Sequence, residues 1–230
     1  MANTVAECDA IIAACKKANV RLSVGYRVHF DPLHEELRRL ARTKEFGPFM
    51  KMTGKFAFRM SNAQWRAQKK LAGGGPLMDL GVYLIQESCM GANAVPVAVT
   101  AHELPKKRPE FFQDVEESIE FALEFAAGER SDCYTSYNDS HDSFRAEAKE
   151  GWFEIGPAFG YRGLKAATSQ GPVKAVPPAS QQALQMDDFA QCVITGQPSI
   201  VPGEMGRRDL VIVEAIYASA ASGKRTDIRV

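Results

Sequence analysis

The sequence predicts an α+β protein from three observations. A capped helix runs into a short apolar stretch near the start, alternating residues broken by tight turns fill the middle third, and two helical segments close the chain. The 230 residues carry 28 Lys+Arg against 28 Asp+Glu, a net charge of zero, and 45% are apolar. That length and composition suit an ordinary folded chain with a real core. Zero net charge removes the long-range field that collects polyanions, so neither nucleic acid nor an anionic membrane is expected as a partner. No apolar run reaches the roughly 18 residues of a membrane span, and Glu7 and Asp9 stand where an export signal would be basic and then apolar.

Thr4 and Glu7 form a capping-box pattern, and Cys8, Ile11, Ile12 and Cys15 follow at helical spacing. Asn19 breaks this helix, and Val20 to Val24, ending at Gly25, reads as a mostly buried strand. A helix followed at once by such a strand is the half-unit of a parallel sheet, and earlier strands would be needed to pair with it. Asp31-Pro32 caps and starts a second helix through Leu33, Leu37 and Leu40 to about Arg42. Met50 to Phe58 alternates as a strand with one buried face. Pro76 opens a helix that closes near Gly91. Strands are then expected at Val97–Ala101, Val115–Phe125, Asp132–Tyr137 and Phe144–Ile155. Turn signals at Ala127-Gly128-Glu129 and Asn138-Asp139-Ser140 argue for an antiparallel meander. In the second of these strands Val115, Glu117, Ile119, Phe121, Leu123 and Phe125 share one side, with Glu116, Ser118, Glu120, Ala122 and Glu124 on a wetter one. Gly156 to Pro178 reads as an irregular surface excursion. Helices around Gln182–Ile194 and Arg207–Ala221, the latter stopped by Ser222-Gly223, complete the chain.

The five cysteines are odd in number and never spaced C-x-x-C, which fits free thiols in a reducing compartment. Together with four scattered histidines they give a metal site little support. The densest cluster of unusual residues is Trp65-Arg66 followed by Gly73-Gly74-Gly75-Pro76-Leu77-Met78-Asp79-Leu80-Gly81-Val82-Tyr83. Three glycines let the backbone pass close to something bulky, and Pro76 then starts a helix. Asp79 and Tyr83 are four apart on one helical face. A phenol beside a carboxylate suits proton exchange with a hydroxyl, while an aspartate that only compensates the helix dipole has the same spacing. The glycines match neither G-x-G-x-x-G nor a phosphate loop.

Val24-Gly25-Tyr26-Arg27 with His29-Phe30-Asp31-Pro32, Trp65-Arg66, the block from Gly73 to Tyr83, and the closing Asp188-Phe189, Gly196-Gln197-Pro198 and Glu214 to Ala220 together resemble the glucose-fructose oxidoreductase, inositol dehydrogenase and rhizopine-catabolism family of NAD(P)-dependent oxidoreductases. The resemblance implies a large, mostly antiparallel open-faced sheet with helices on one face, preceded by a residual helix and strand of a Rossmann domain. On that basis residues 1–25 are the end of the dinucleotide-binding domain, and 26–230 form the substrate-binding and oligomerisation domain. Asp79 and Tyr83 then match the family's acid/base pair, Tyr83 exchanging the substrate proton and Asp79 orienting it. Tyrosine at that position points to the glucose-fructose oxidoreductase branch. Tyr26, Arg27 and Arg66 match residues near cofactor or substrate.

The family's glycine fingerprint and active-site lysine have no counterpart in the sequence. NADP or NAD is therefore expected to serve a longer protein and not to bind tightly to this chain, which is expected to be inactive alone. A sugar or polyol is the implied small-molecule partner, with self-association through the open sheet face and a cytoplasmic location, an upstream export signal being left open. A naturally shortened, non-catalytic ligand-binding or assembly module is the alternative reading.

Overall fold

Thr4 caps α1 (Val5–Lys17) as its sequence requires. Its hydroxyl accepts the Glu7 N–H at 3.2 Å while Glu7 Oε2 accepts the Thr4 N–H at 3.0 Å. The computed structural model describes residues 1–62, 64–174 and 180–230. Cys8 and Ile12 are buried on α1, which lies against α6 (Gly203–Ser222). Val20 to Val24 does not form the expected strand. Val20 is exposed, only Ser23 makes a bridge, to Pro202, and Leu22 packs over Gly203. Ser23 and Val24 meet only the segment leading into α6, Val24 N–H donating to Val201 O at 2.9 Å, a contact too short to propagate a ladder.

Asp31 caps α2 (Pro32–Thr43), its carboxylate accepting the Leu33 N–H at 2.9 Å. β1 (Lys51–Ala57) follows, then the short α3 (Lys69–Ala72). The helix predicted from Pro76 is present with a difference. Leu77–Gly81 winds as a π turn and continues directly into α4 (Val82–Ala92), which Asn93 ends in the left-handed region. The strands are β2 (Ala98–Glu103), β3 (Ser118–Glu124), β4 (Arg130–Ser136), β5 (His141–Glu147) and β6 (Trp152–Ile155). The single strand expected over Phe144–Ile155 is thus a hairpin. The excursion expected from Gly156 contains two more strands, β7 (Ala166–Thr168) and β8 (Gly171–Pro172), and its residues 175–178 lie outside the described ones. α5 (Gln181–Thr195), α6 and β9 (Thr226–Asp227) complete the chain.

The nine strands make one sheet in the order β8-β7-β6-β5-β1-β4-β3-β2-β9. Every pairing is antiparallel except β1 with β4. The simple meander is therefore corrected: β1 lies between β4 and β5, and Ala57 faces both Ser136 and His141. The expected turn at Asn138-Asp139-Ser140 is present, but it arches over the end of β1 to join strands two spacings apart.

α2, α4 and α6 cover one face of the sheet, where Leu37, Leu40, Leu84, Ile85, Ile212 and Ile216 meet Met52, Phe121, Leu123, Phe144 and Phe153. The other face is open and carries Lys55, His102, Glu120, Arg130, Asp132 and Tyr134 around a concavity of about 370 Å³. Burying the apolar face contributes roughly 25 cal/mol per Å² removed from water, which sets the sidedness. α4 seats closely on the sheet because β1 has a glycine beneath it. A Cβ at Gly54 would come 2.9 Å from Leu84 and 3.0 Å from Phe144. Gly54→Val should therefore cost roughly 1–3 kcal/mol in a urea titration, despite valine's better strand propensity, because the core has no room for the added methyls.

Candidate functional site

A buried carboxylate from outside the glycine segment holds it in place. Glu116 accepts the N–H of Gly75 and the N–H of Leu77, each at 3.0 Å, and the Tyr217 hydroxyl donates to it at 3.0 Å. These are the otherwise unpaired N–H groups of a helix start, so Glu116 caps the π turn from another element. The bulky neighbour that the glycines accommodate is the protein itself. A Cβ at Gly74 would meet the Tyr217 hydroxyl at 1.9 Å, and one at Gly75 would meet the Glu116 carbonyl oxygen at 2.2 Å. The expected placement of Glu116 on a wet strand face is corrected: it and Glu117 both precede β3 and both are buried. Glu117 pairs with Arg108 at 2.9 Å, and Arg108 donates to the carbonyls of Met60 and Tyr137.

From this clamped start the π turn presents Asp79 and α4 presents Tyr83. The two are not joined by a hydrogen bond. Asp79 Oδ2 accepts the Tyr137 hydroxyl at 3.0 Å and lies 3.1 Å from Arg66 Nε, while Oδ1 has no partner among the described residues. Burial, and then the Asp79 charge, push the Tyr137 phenol well above its usual range, so it stays a donor. Arg66 stacks on the half-exposed Trp65, 4.6 Å from its ring.

Tyr83 is oriented by rings instead of by Asp79. Phe56 stands edge-on at 5.5 Å, Phe159 tilts against it at 5.6 Å, and the Arg27 guanidinium lies 5.2 Å from the ring centre. The Tyr83 side chain is half-buried, and its hydroxyl has no partner among the described residues.

The structure brings Asp79, Arg66, Tyr83 and Arg27 to one region and places Tyr26 elsewhere. Tyr26 belongs to an interior network in which Arg38 donates to His29 Nδ1 at 2.8 Å, His29 Nε2 bonds Gln86 at 2.8 Å, and Gln86 donates to Asp209 at 3.2 Å. Burial, and then Arg38, push His29 down to about 3, which keeps it neutral as this geometry requires. Burial and the Asp209 charge push the Tyr26 phenol well up. Arg27 Nη1 donates to Gly160 O at 3.2 Å and to Gln181 Oε1 at 2.5 Å, and Nη2 to Phe159 O, while Nε is buried with no partner among the described residues.

Sequence reasoning missed Glu116, Tyr137, Tyr217 and Phe159, all of which come from remote segments. The five cysteines are free. Among the described residues no group of three or more potential ligands gathers around a metal position, and no helix is long and apolar enough to cross a membrane.

Residues 34–155 match the family described as the GFO/IDH/MocA C-terminal domain. The chain is 37% identical to the aldose-aldose oxidoreductase from Caulobacter crescentus, solved with glycerol, with a TM-score of 0.94 over 99% of this chain and 70% of that one. It is 25% identical to the NADP(+) D-xylose 1-dehydrogenase of Haloarcula marismortui over 96% of its own length, and spans 64% of that relative. A levoglucosan dehydrogenase solved with NADH and levoglucosan shares the fold at a TM-score of 0.83 and 18% identity, over 100% of this chain and 72% of that one.

Burial, against the opposing hydrogen bonds from Leu77, Gly75 and Tyr217, raises the Glu116 carboxyl above 4.5. Its stabilisation is then fullest below pH 4.5 and declines as pH rises through the folded value. Glu116→Gln turns an amide N–H2 toward a backbone N–H and should cost about 1–3 kcal/mol near pH 5. Paired urea titrations should show the gap to the unsubstituted protein narrowing toward pH 8, the reverse of a salt-bridged carboxylate.

Proposed function

The chain belongs to the GFO/IDH/MocA family, and from that premise we propose that it carries the sugar-binding and proton-transferring part of an NAD(P)-dependent oxidoreductase acting on an aldose or a related polyol. The observation that carries this reading is the half-buried Tyr83 phenol, fixed by Phe56, Phe159 and Arg27 with its oxygen unpaired among the described residues, at the head of α4 one turn from the half-free carboxylate of Asp79. The relatives point the same way, being named for xylose, levoglucosan and aldose chemistry.

Tyr83 Oη takes the proton of the reacting hydroxyl, a step general bases accelerate by about 10²–10⁴. Asp79 Oδ1 accepts a hydrogen bond from a neighbouring hydroxyl, while Tyr137 and Arg66 keep the carboxylate aimed. Arg27 sets positive charge against the ring on which negative charge develops. The hydride belongs to a nicotinamide cofactor. The described residues do not fit the whole of that group: no glycine fingerprint offers its pyrophosphate a helix start. This chain's part is the sugar and the proton. Within this reading residues 1–25 are the end of a dinucleotide-binding unit, and Arg66 is the remaining cation facing cofactor or substrate.

Tyr83→Phe should lower kcat by about 10²–10⁴ with little change in cofactor Kd when the cofactor-bearing protein is assayed with NADP(+) and D-xylose or D-glucose. Unchanged turnover would refute the role. Self-association through the open face belongs to the same proposal. That face carries polar partners, His102 3.0 Å from Glu120 across neighbouring strands and Arg130 2.9 Å from Asp132 along β4, which a second copy could exchange. Light scattering at micromolar concentration should give a mass of at least a dimer, and a monomer mass would count against it.

A further inference from the structure

The connection from β6 to β7 is a surface loop held by an unusual number of interior polar groups. Asp142 Oδ1 accepts the N–H of Ala158 and of Phe159, each at 2.7 Å. His34 Nε2 donates to Ala158 O at 2.9 Å, and its Nδ1 faces Glu87, one helical turn beyond Tyr83 on α4. Arg27 holds the carbonyls of Phe159 and Gly160. His34 and Glu87 are wholly buried and Arg27 nearly so. Interior ionisable groups cost several kcal/mol each in desolvation, so this is an expensive way to secure a loop.

Ala158 and Phe159 are accordingly buried, and two residues later Tyr161 is 70% exposed. Its ring lies 4.3 Å from the central carbon of the same Arg27 guanidinium that faces Tyr83 at 5.2 Å. One guanidinium thus positions both rings. Tyr161 rests on the cation that also faces Tyr83, and most of its ring stands in water.

We infer that Tyr161 is a specificity-determining residue, a fixed aromatic platform that stacks on the C–H face of a pyranose and so selects cyclic aldoses over open-chain polyols. The inference rests on the reading of Tyr83 given above. The negative face of an aromatic ring attracts polarised C–H groups, which a pyranose presents as one flat array and an acyclic polyol does not. Holding the platform rigid before binding spares the entropy of ordering it, and this is what the Asp142, His34 and Arg27 contacts provide.

The test is saturation-transfer NMR and titration with D-xylose and with glycerol on the protein and on Tyr161→Ala and Tyr161→Phe. Xylose should bind the unsubstituted protein with strongest saturation on the C–H protons of one ring face. Tyr161→Ala should weaken xylose about tenfold, with melting temperature and glycerol affinity unchanged, and Tyr161→Phe should retain the affinity. Equal losses for both ligands, unaltered xylose affinity in Tyr161→Ala, a Phe variant as weak as the Ala variant, or no xylose binding at all would each overturn the inference. Unaltered xylose affinity alongside a turnover collapse in Tyr83→Phe removes the platform and leaves the proton-transfer reading intact. Full turnover in Tyr83→Phe removes that reading whatever Tyr161 does.

Discussion

The carboxylate of Glu116 is the constraint on which the rest of the site depends. Its contacts with Gly75, Leu77 and Tyr217 bind three distant parts of the chain, the glycine segment, the approach to β3 and α6, at one buried point. Were it absent, the first N–H groups of the π turn would be buried without partners, and the Tyr217 hydroxyl would lose its acceptor. The pitch at which the chain enters α4 follows from this contact. Asp79 and Tyr83 are carried on that entry, so their placement depends on a residue that grips the chain at Gly75 and Leu77 and is hydrogen-bonded to neither of them.

Around this point the interior is more polar than a core chosen for stability alone. The His34–Glu87 pair, His29 with Gln86 and Asp209, and the Arg27 guanidinium all occupy buried space. Apolar residues of similar volume would give equal or greater stability. What the polar set supplies is direction. Each group has one acceptable arrangement of donors and acceptors, so α2, α4, α6 and the β6–β7 loop can meet in only one register. A proton-transferring phenol that must stay within a fraction of an ångström of its target gains from that uniqueness.

Local features were legible in the sequence wherever a few neighbouring residues suffice. The Thr4–Glu7 box, Asp31-Pro32 and Gly223 mark helix ends because a cap bonds groups two to four residues away. The alternation in β1 showed a half-buried strand but not its neighbours, since pairing with β4 and β5 is a non-local choice. Val20 to Val24 has strand composition, but among the described residues it makes only the single Ser23–Pro202 bridge. Glu116 and Glu117 defeat a period-two reading because they precede the first paired residue, so the pleat does not govern where they point. Asp79 and Tyr83 were singled out by spacing and resemblance. Their supports were not, because Tyr137, Phe159 and Tyr217 reach them only through the tertiary fold. The π turn has no composition signal, and it accompanies the exchange of Asp79's partner from Tyr83 to Tyr137.

The placement of β1 also governs how the molecule is made. Its residues emerge from the ribosome well before those of β4 and β5, the strands that flank it. At roughly 5–20 residues per second, this leaves an extended segment waiting on the order of ten seconds with both edges unsatisfied. Such an edge is a template for pairing with another nascent chain. Lys51 and Lys55 lie on its outward side, where two positive charges oppose stacking with a like segment until the proper neighbours arrive. The same residues that leave the finished sheet face polar therefore act as gatekeepers during synthesis.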